Sequence, residues 1–237
     1  MASYYYPSED QKLNIARGLV KGTSIRNIFG YNSSVNNAFK PLWELGSVYT
    51  YPTQNLTMDV VSTNTNDTSV TVKIVGLDSD YNELSETLTL NGTSTVTSNN
   101  EYFRINDVIT IAGNADGNVN VTNSSVTYAR IRSGDGRNQA SIYTVPANTS
   151  FYLYRIDGFS ATATGSQYVT FRNEVTNSSN VTFRVAETTF INQMNIQRRL
   201  PFKYDAKSDI QFQCKSSAST NEVGVFGEGI LIKDGLA

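Results

Sequence analysis

The stretch SVTVKIVGLDSDYNELSETLTL (residues 69–90) restricts this chain more than any other. Before its centre, Val70, Val72 and Ile74 alternate with Thr71, Lys73 and Val75; after it, Leu84, Glu86, Leu88 and Leu90 alternate with Ser85, Thr87 and Thr89. A period of two places one set on each face of a strand. The short polar residues between, DSDYN, bond readily to their own backbone and let the chain reverse. The stretch therefore predicts an antiparallel hairpin with its turn at Asp78–Asn82.

The same stretch gathers Asp78, Asp80, Asn82, Glu83 and Glu86, so two chemical readings compete with the turn. Aligned as an EF-hand loop from Asp78, the first, third and fifth positions fit. The sixth, which needs glycine, is Glu83, and the twelfth, which needs a bidentate glutamate, is Thr89. As catalytic carboxylates, Asp78 and Asp80 sit on an exposed turn where nothing drives their pKa values apart. The hairpin tip accounts for the residues best, and no metal or cofactor is expected.

Other strands follow the same rule. They are expected near 56–61, 101–111, 118–122 and 125–132, separated by turns such as AGNADGN. The second half adds seven strand-like segments, from SIYTVP to EVGVFGEGILI. Three of them show inward sets: Val169, Phe171 and Val175; Val181, Phe183 and Val185; Ile210, Phe212 and Cys214. Short strands at this spacing predict sandwiches or a jelly roll. The absence of any 20–50-residue repeat argues against a solenoid. SGDGRNQ (133–139) is the best boundary between two β domains; its glycines lack the full dinucleotide fingerprint, and no helix follows.

Residues 1–45 read differently. SEDQKLNIARGLVKG opens with Ser8 and Gln11 as a capping box and predicts one short helix, with Leu13, Ala16 and Val20 on its inner face and Gly22 as its stop. TSIRNIFGYNSSVNNAFKPLWEL then carries large apolar residues with no sustained period and reads as an extended arm. The expected organisation is all-β: an arm with a short helix (1–45), a first β-sandwich (46–132) and a second β-sandwich or jelly roll (133–237). Tyr4, Tyr5, Tyr6, Ile25, Ile28 and Phe29 are the candidate partner-binding residues of the arm. Exposing them is unfavourable by about 25 cal/mol per Å² of apolar surface, so burial against another chain is expected, with the β domains standing without them.

Composition excludes several functions. The chain has no histidine and one cysteine, which removes Ser-His-Asp and Cys-His nucleophiles, His-based zinc sites and internal disulfides. Cys214 alternates in phase with Ile210 and Phe212 and reads as a buried small hydrophobe. The net charge of −2 offers no field for nucleic acid. No apolar run approaches the about 18 residues of a membrane helix, and the N-terminus lacks signal-peptide character, so assembly in a cytoplasm is expected. Nine Asn-X-Ser/Thr triplets follow from the abundance of these residues. Charge is uneven: residues 46–130 carry nine acidic and three basic side chains, while 1–45 and 131–237 are each +2.

The motifs IFGYN, YTYP, GLDSDYNELSETLTLNG, QASIYTVPANTSFYL, LPFKYDAKSDIQFQC and GVFGEGILI together resemble those of β-rich virion structural proteins of tailed, including marine, bacteriophages. The resemblance covers residues about 25–232. It implies a β-rich non-enzymatic structural protein located in the virion, most simply a capsid decoration (cement) protein. Its expected partners are the major capsid protein or other virion proteins, with homo-oligomerisation, and neither nucleic acid nor membrane. A neck or tail adaptor, or a fibre-attachment subunit, is the alternative; a tail-spike-type glycan-binding module is a more distant one.

Overall fold

The structure, a computed structural model, describes residues 9–161, 167–217 and 220–235. Tyr4, Tyr5, Tyr6 and Ser8 lie outside them. Helix α1 (Glu9–Ala16) is followed by β1 (Thr23–Val35), β2 (Lys40–Pro41), β3 (Leu56–Ser62), β4 (Thr71–Leu77), β5 (Glu83–Thr89), β6 (Val96–Tyr102), β7 (Arg104–Ala112), β8 (Val119–Asn123) and β9 (Val126–Ile131). Then come β10 (Ile142–Thr144), β11 (Thr149–Ser160), β12 (Val169–Thr176), β13 (Thr182–Phe190), β14 (Gln193–Tyr204), β15 (Asp209–Ser216) and β16 (Asn221–Lys233). Among the described residues the protein is all-β apart from one short helix.

Strands β3–β9 form the first sandwich, with sheets ordered β6-β3-β8-β9 and β5-β4-β7. The hairpin expected at 70–90 is present: β4 pairs with β5 from Thr71↔Thr89 to Leu77↔Glu83. Val72 and Ile74 are fully buried and pack with Met58, Val60, Tyr102, Val108, Val119 and Val121. At the tip, Asp78 Oδ1 accepts from the amides of Asp80 and Asn82, both at 2.9 Å. The Asp78 carboxylate thus holds its own turn.

The second sandwich has sheets ordered β1-β16-β11-β14 and β10-β15-β12-β13, with β2 added against β15. Counting its eight principal strands from β1 as 1, the orders read 1-8-3-6 and 2-7-4-5. Strands 1 and 8, 2 and 7, 3 and 6, and 4 and 5 are neighbours. The chain is a long antiparallel ribbon rolled on itself, which is the jelly-roll wrap. The first sandwich is inserted in the connection between strands 1 and 2 of this roll.

This arrangement corrects the reading of residues 1–45 as an arm separate from the β domains. Residues 23–35 are the first jelly-roll strand, in register with β16 from Thr23↔Ile232 to Asn32↔Val223. Ile28 is buried in the jelly-roll core with Phe151, Leu153 and Val225. The alternation was concealed because the next two inward positions, Gly30 and Asn32, are not apolar. A Cβ on Gly30 would lie 2.4 Å from that of Ser141, so the position cannot carry a larger residue. Helix α1 is also shorter than expected and buries Ile15, while Leu13 is exposed.

The inward sets of β12 and β15 are as read, and Phe171 and Phe212 meet edge to face at 5.7 Å. The third set fails at two positions, Val181 and Phe183, both exposed; Phe183 is paired with the buried Val175 but remains 45% exposed, because β13 is an edge strand of its sheet and no described residue covers this end of it. Two substitutions separate these environments. Phe171→Ala is expected to cost about 3–5 kcal/mol, as buried aromatic truncations do, and Phe183→Ala about 1 kcal/mol or less. Urea denaturation of both variants measures the difference.

Candidate functional site

The most elaborated polar cluster lies where the inserted sandwich meets the jelly roll. Two chain crossings, residues 42–55 and 132–141, join the lobes, and a small core of Trp43, Tyr49 and Ile142, flanked by Leu45, Tyr51 and Ala140, fills the space between them. Trp43, Tyr49 and Tyr51 stack in series edge to face, with centroids 5.2 and 5.0 Å apart. Trp43 folds back onto its own chain.

Arg104, at the start of β7, grips Asp209, at the start of β15. Its Nε and Nη2 each donate to one carboxylate oxygen at 2.9 Å. Its Nη1 donates to the carbonyls of Pro52 (3.1 Å) and Phe103 (2.8 Å). The guanidinium also lies over the rings of Phe103 and Tyr51, at 4.1 and 4.6 Å. Thr144 Oγ1 donates to the same carboxylate. Burial disfavours the charged Arg104, but Asp209 more than offsets this, and the pKa of Arg104 is raised. Burial drives the Tyr51 hydroxyl well above its ordinary value, so it stays protonated.

Around this pair the lobes are tied at further points. Asn106 donates to the Thr144 carbonyl (2.9 Å) and accepts from the Thr144 amide (2.8 Å). Arg137 holds Asp107 through Nη2 at 2.6 Å. Tyr49 Oη donates to the Tyr128 carbonyl at 3.1 Å, and the Ala147 amide donates to the Tyr81 carbonyl at 2.8 Å. Tyr81 adopts φ 68°, a left-handed conformation unfavourable for a side chain of this size, and its ring meets Phe103 edge to face at 5.5 Å.

Glu44 holds the second crossing. Its Oε1 accepts from the Gln139 amide, while Oε2 is shielded from solvent and finds no hydrogen-bond partner among the described residues. Burial is the main cause that lifts its pKa from 4.5 to about 7, with the Gln139 amide and Arg132 opposing.

Of the expected partner-binding residues, Ile28 is in the jelly-roll core, Ile25 is half-buried opposite Ile230, and Phe29 is at the margin of exposure. Phe29 lines a cleft of about 330 Å³ beside the junction, with Arg26, Asn106, Arg137, Tyr143 and Phe226. The structure brings these β1 residues together as parts of one strand, not as a free binding segment; Tyr4, Tyr5 and Tyr6 are outside the described residues. No group of three or more His, Cys, Asp or Glu side chains able to hold a metal occurs among the described residues. Cys214 is buried, which pushes its thiol pKa up and away from nucleophilic use.

Arg104, Asp209, Asn106 and Glu44 are the residues sequence reasoning missed. Each is a single charge or amide whose partner lies far along the chain. One signal was present: the motifs YTYP and GLDSDYNE and the segment containing Asp209 all supply junction residues, namely Tyr49, Tyr51, Pro52, Tyr81 and Asp209.

No known protein family and no curated protein matches the sequence. Among solved structures, the chain is similar to the VP2 subviral particle of infectious bursal disease virus, at 8% identity over 97% of this chain and 79% of that one, with a TM-score of 0.22. It is also similar to infectious bursal disease virus Gx strain, at 10% identity over 90% and 71% of the two chains, again with a TM-score of 0.22. At such TM-scores these likenesses establish neither a shared fold nor a shared task.

Arg104→Met is expected to destabilise the protein by about 3–5 kcal/mol, because it strands a buried carboxylate. Arg104→Met combined with Asp209→Leu is expected to recover part of that loss; a double-mutant cycle by denaturant unfolding reads the coupling. Glu44 predicts a pH dependence. Its folded pKa is above its unfolded one, so the folded state binds the proton more tightly. Stability is therefore highest below about 4.5 and falls as pH rises to about 7. Glu44→Gln is expected to flatten this window and leave the protein more stable than wild type at pH 8, as measured by urea titrations across pH 4–8.

Proposed function

We propose that this chain is a structural protein of the virion of a tailed bacteriophage, and most specifically a capsid decoration protein that clamps neighbouring major capsid subunits. The observation that carries the reading is the rolled 1-8-3-6 and 2-7-4-5 strand order with a second sandwich inserted in one of its connections. Jelly rolls serve in viral capsids, lectins and cupins. A fold does not by itself assign a task, so the resemblance of the IFGYN, YTYP and GLDSDYNE motifs to phage virion proteins supplies the rest of the support.

The junction suits a mechanical role. A lattice clamp has to hold two surfaces in fixed relation. Here the buried Arg104–Asp209 pair, the Asn106–Thr144 bonds and the Trp43–Tyr49–Tyr51 stack hold the lobes in one orientation. Clamping acts by mass action: a partner that binds only the assembled lattice stabilises it, by more as occupancy rises. No chemistry is assigned to the chain; Asp78 is engaged in its own turn, and Asp107 and Asp209 in ion pairs.

Quantitative mass spectrometry of purified virions of the encoding phage tests the proposal. Copies comparable in number to the major capsid protein are expected. Six or twelve copies per particle move the protein to the neck or tail, and its absence from particles overturns the virion reading.

A further inference from the structure

β1 and β10 each end one of the two jelly-roll sheets, and both contribute to the cleft of about 330 Å³ beside the junction. Among the described residues, β1 has β16 as its only ladder partner. The Tyr31 amide donates away from that partner, to the Gln139 carbonyl at 3.3 Å. Backbone groups two residues apart point the same way along a strand. The amides and carbonyls of Asn27 and Phe29 therefore also face away from β16, into the cleft that residues 26–29 line. One end of the cleft is bounded by Gly30, packed against Ser141. The other is bounded by Arg26, whose guanidinium lies 4.7 Å from the Tyr143 ring centroid and donates to the Asn106 carbonyl at 3.4 Å. So bounded, the free edge does not admit a peptide strand running through it. The volume falls in the lower part of the range of small-molecule sites, about 300–1,000 Å³.

The lining combines aromatic, polar and charged groups. Phe29 and Phe226 are cross-strand neighbours, and both line the cleft; Phe29 is exposed and Phe226 half-buried. The faces of such rings carry negative potential. Asn27 and Asn138 add amide side chains. Both aspartates of the lining are already matched: Asp107 by Arg137 at 2.6 Å, and Asp135 by Arg132 at 2.8 Å. Arg26 is not. It enters no ion pair among the described residues, and its Nε is shielded from solvent with no hydrogen-bond partner among them. A donor left unmatched in this way is unfavourable, and the bond of Arg26 to the Asn106 carbonyl is long. One positive charge therefore stands at the end of the cleft without a counter-ion.

We infer that this cleft binds a carboxylate-bearing sugar residue of the hexuronate type. The carboxylate complements the charge of Arg26 and draws its guanidinium off the Asn106 carbonyl, so that Nε gains an acceptor. The hydroxyls, each both donor and acceptor, suit a wall that offers the free amides and carbonyls of β1 together with the Asn27 and Asn138 side chains. The C–H groups on one face of the sugar ring, weakly positive, rest against Phe29 and Phe226. Competing ligands fit less well. A phosphate ester meets a single uncompensated cation, and a metal meets no cluster of carboxylates among the described residues. An aliphatic acid leaves the polar wall unmatched. The inference rests on the lining of the cleft and is independent of the virion reading.

Isothermal titration calorimetry of the full chain with trigalacturonate, and with galactotriose as its neutral counterpart, tests this. Trigalacturonate is expected to bind with a Kd of about 1 mM or below. Its affinity is expected to exceed that of galactotriose about tenfold, the effect of one charge-assisted hydrogen bond. Arg26→Gln is expected to abolish this preference. Phe29→Ala is expected to weaken the binding of both sugars, and Asn27→Ala to weaken it about fivefold, as loss of a neutral hydrogen bond does. Asn27 and Phe29 are at exposed positions, so these two variants should melt as the wild type does and decide the matter if Arg26→Gln fails to fold. Absence of trigalacturonate binding up to about 10 mM, ten times the expected Kd, overturns the inference. So does equal affinity for the two sugars, and so does binding indifferent to both Asn27→Ala and Phe29→Ala, which places the sugar elsewhere. Triglutamate bound as tightly as trigalacturonate assigns the cleft to an acidic peptide and also overturns it.

Discussion

Pairing of the first jelly-roll strand with the last is the constraint on which the architecture depends. β1 and β16 lie together for almost their whole lengths, so residues separated by about the length of the chain share one ladder. Three consequences follow. The roll cannot close until Lys233 is in place. Everything between the two strands, including a complete second sandwich, must be accommodated as connections within the roll. Loop closure over such separations is slow, so the inserted sandwich, with its own core and shorter-range pairings, has the topology to form first. Residues 23–35 are then part of the wall of the roll, not a segment available to bind elsewhere.

The junction explains why two sandwiches joined by two crossings form one body. Arg104 and Asp209 are both withdrawn from solvent, and a buried ion pair offers little net stability against an apolar replacement. Its effect is on orientation. A guanidinium with its donors committed to Asp209, Pro52 and Phe103 and its faces against aromatic rings has one satisfactory position. Tilting the lobes apart would expose the rings and leave both charges unmatched in a poorly hydrated space. Glu44 opposes this order modestly at neutral pH, because its ionised form is poorly matched where it lies.

Much of the fold was legible in the sequence because most strands keep strict alternation. β4 and β5 announce their hairpin, and β12 and β15 announce their inward faces through Phe171 and Phe212. The failures have identifiable causes. β1 escaped because its inward positions run Ile28, Gly30, Asn32, and only the first is apolar; the strand packs its backbone close to Ser141 where other strands place side chains. Phe183 was assigned to the core because alternation reports which way a side chain points and not whether anything covers it. On α1, the expected inner face of Leu13, Ala16 and Val20 is not the buried one: Leu13 and Ala16 are exposed and Ile15 is buried. The junction was invisible as a site because Arg104 and Asp209 are single charges 105 residues apart. Only the clustering of its aromatic contributors in YTYP and DSDYNE left a local trace.

If the proposed virion role holds, it falls to the outer surfaces of the two lobes, because β1 is taken up in the jelly roll. Native-state hydrogen exchange on the isolated protein tests this account most directly. The amides of β1 between Ile25 and Tyr31 that lie in the ladder with β16 are predicted to exchange with the same opening free energy as those of β16 itself. Exchange of these β1 amides at unprotected rates, with β16 and β11 still protected, would contradict it.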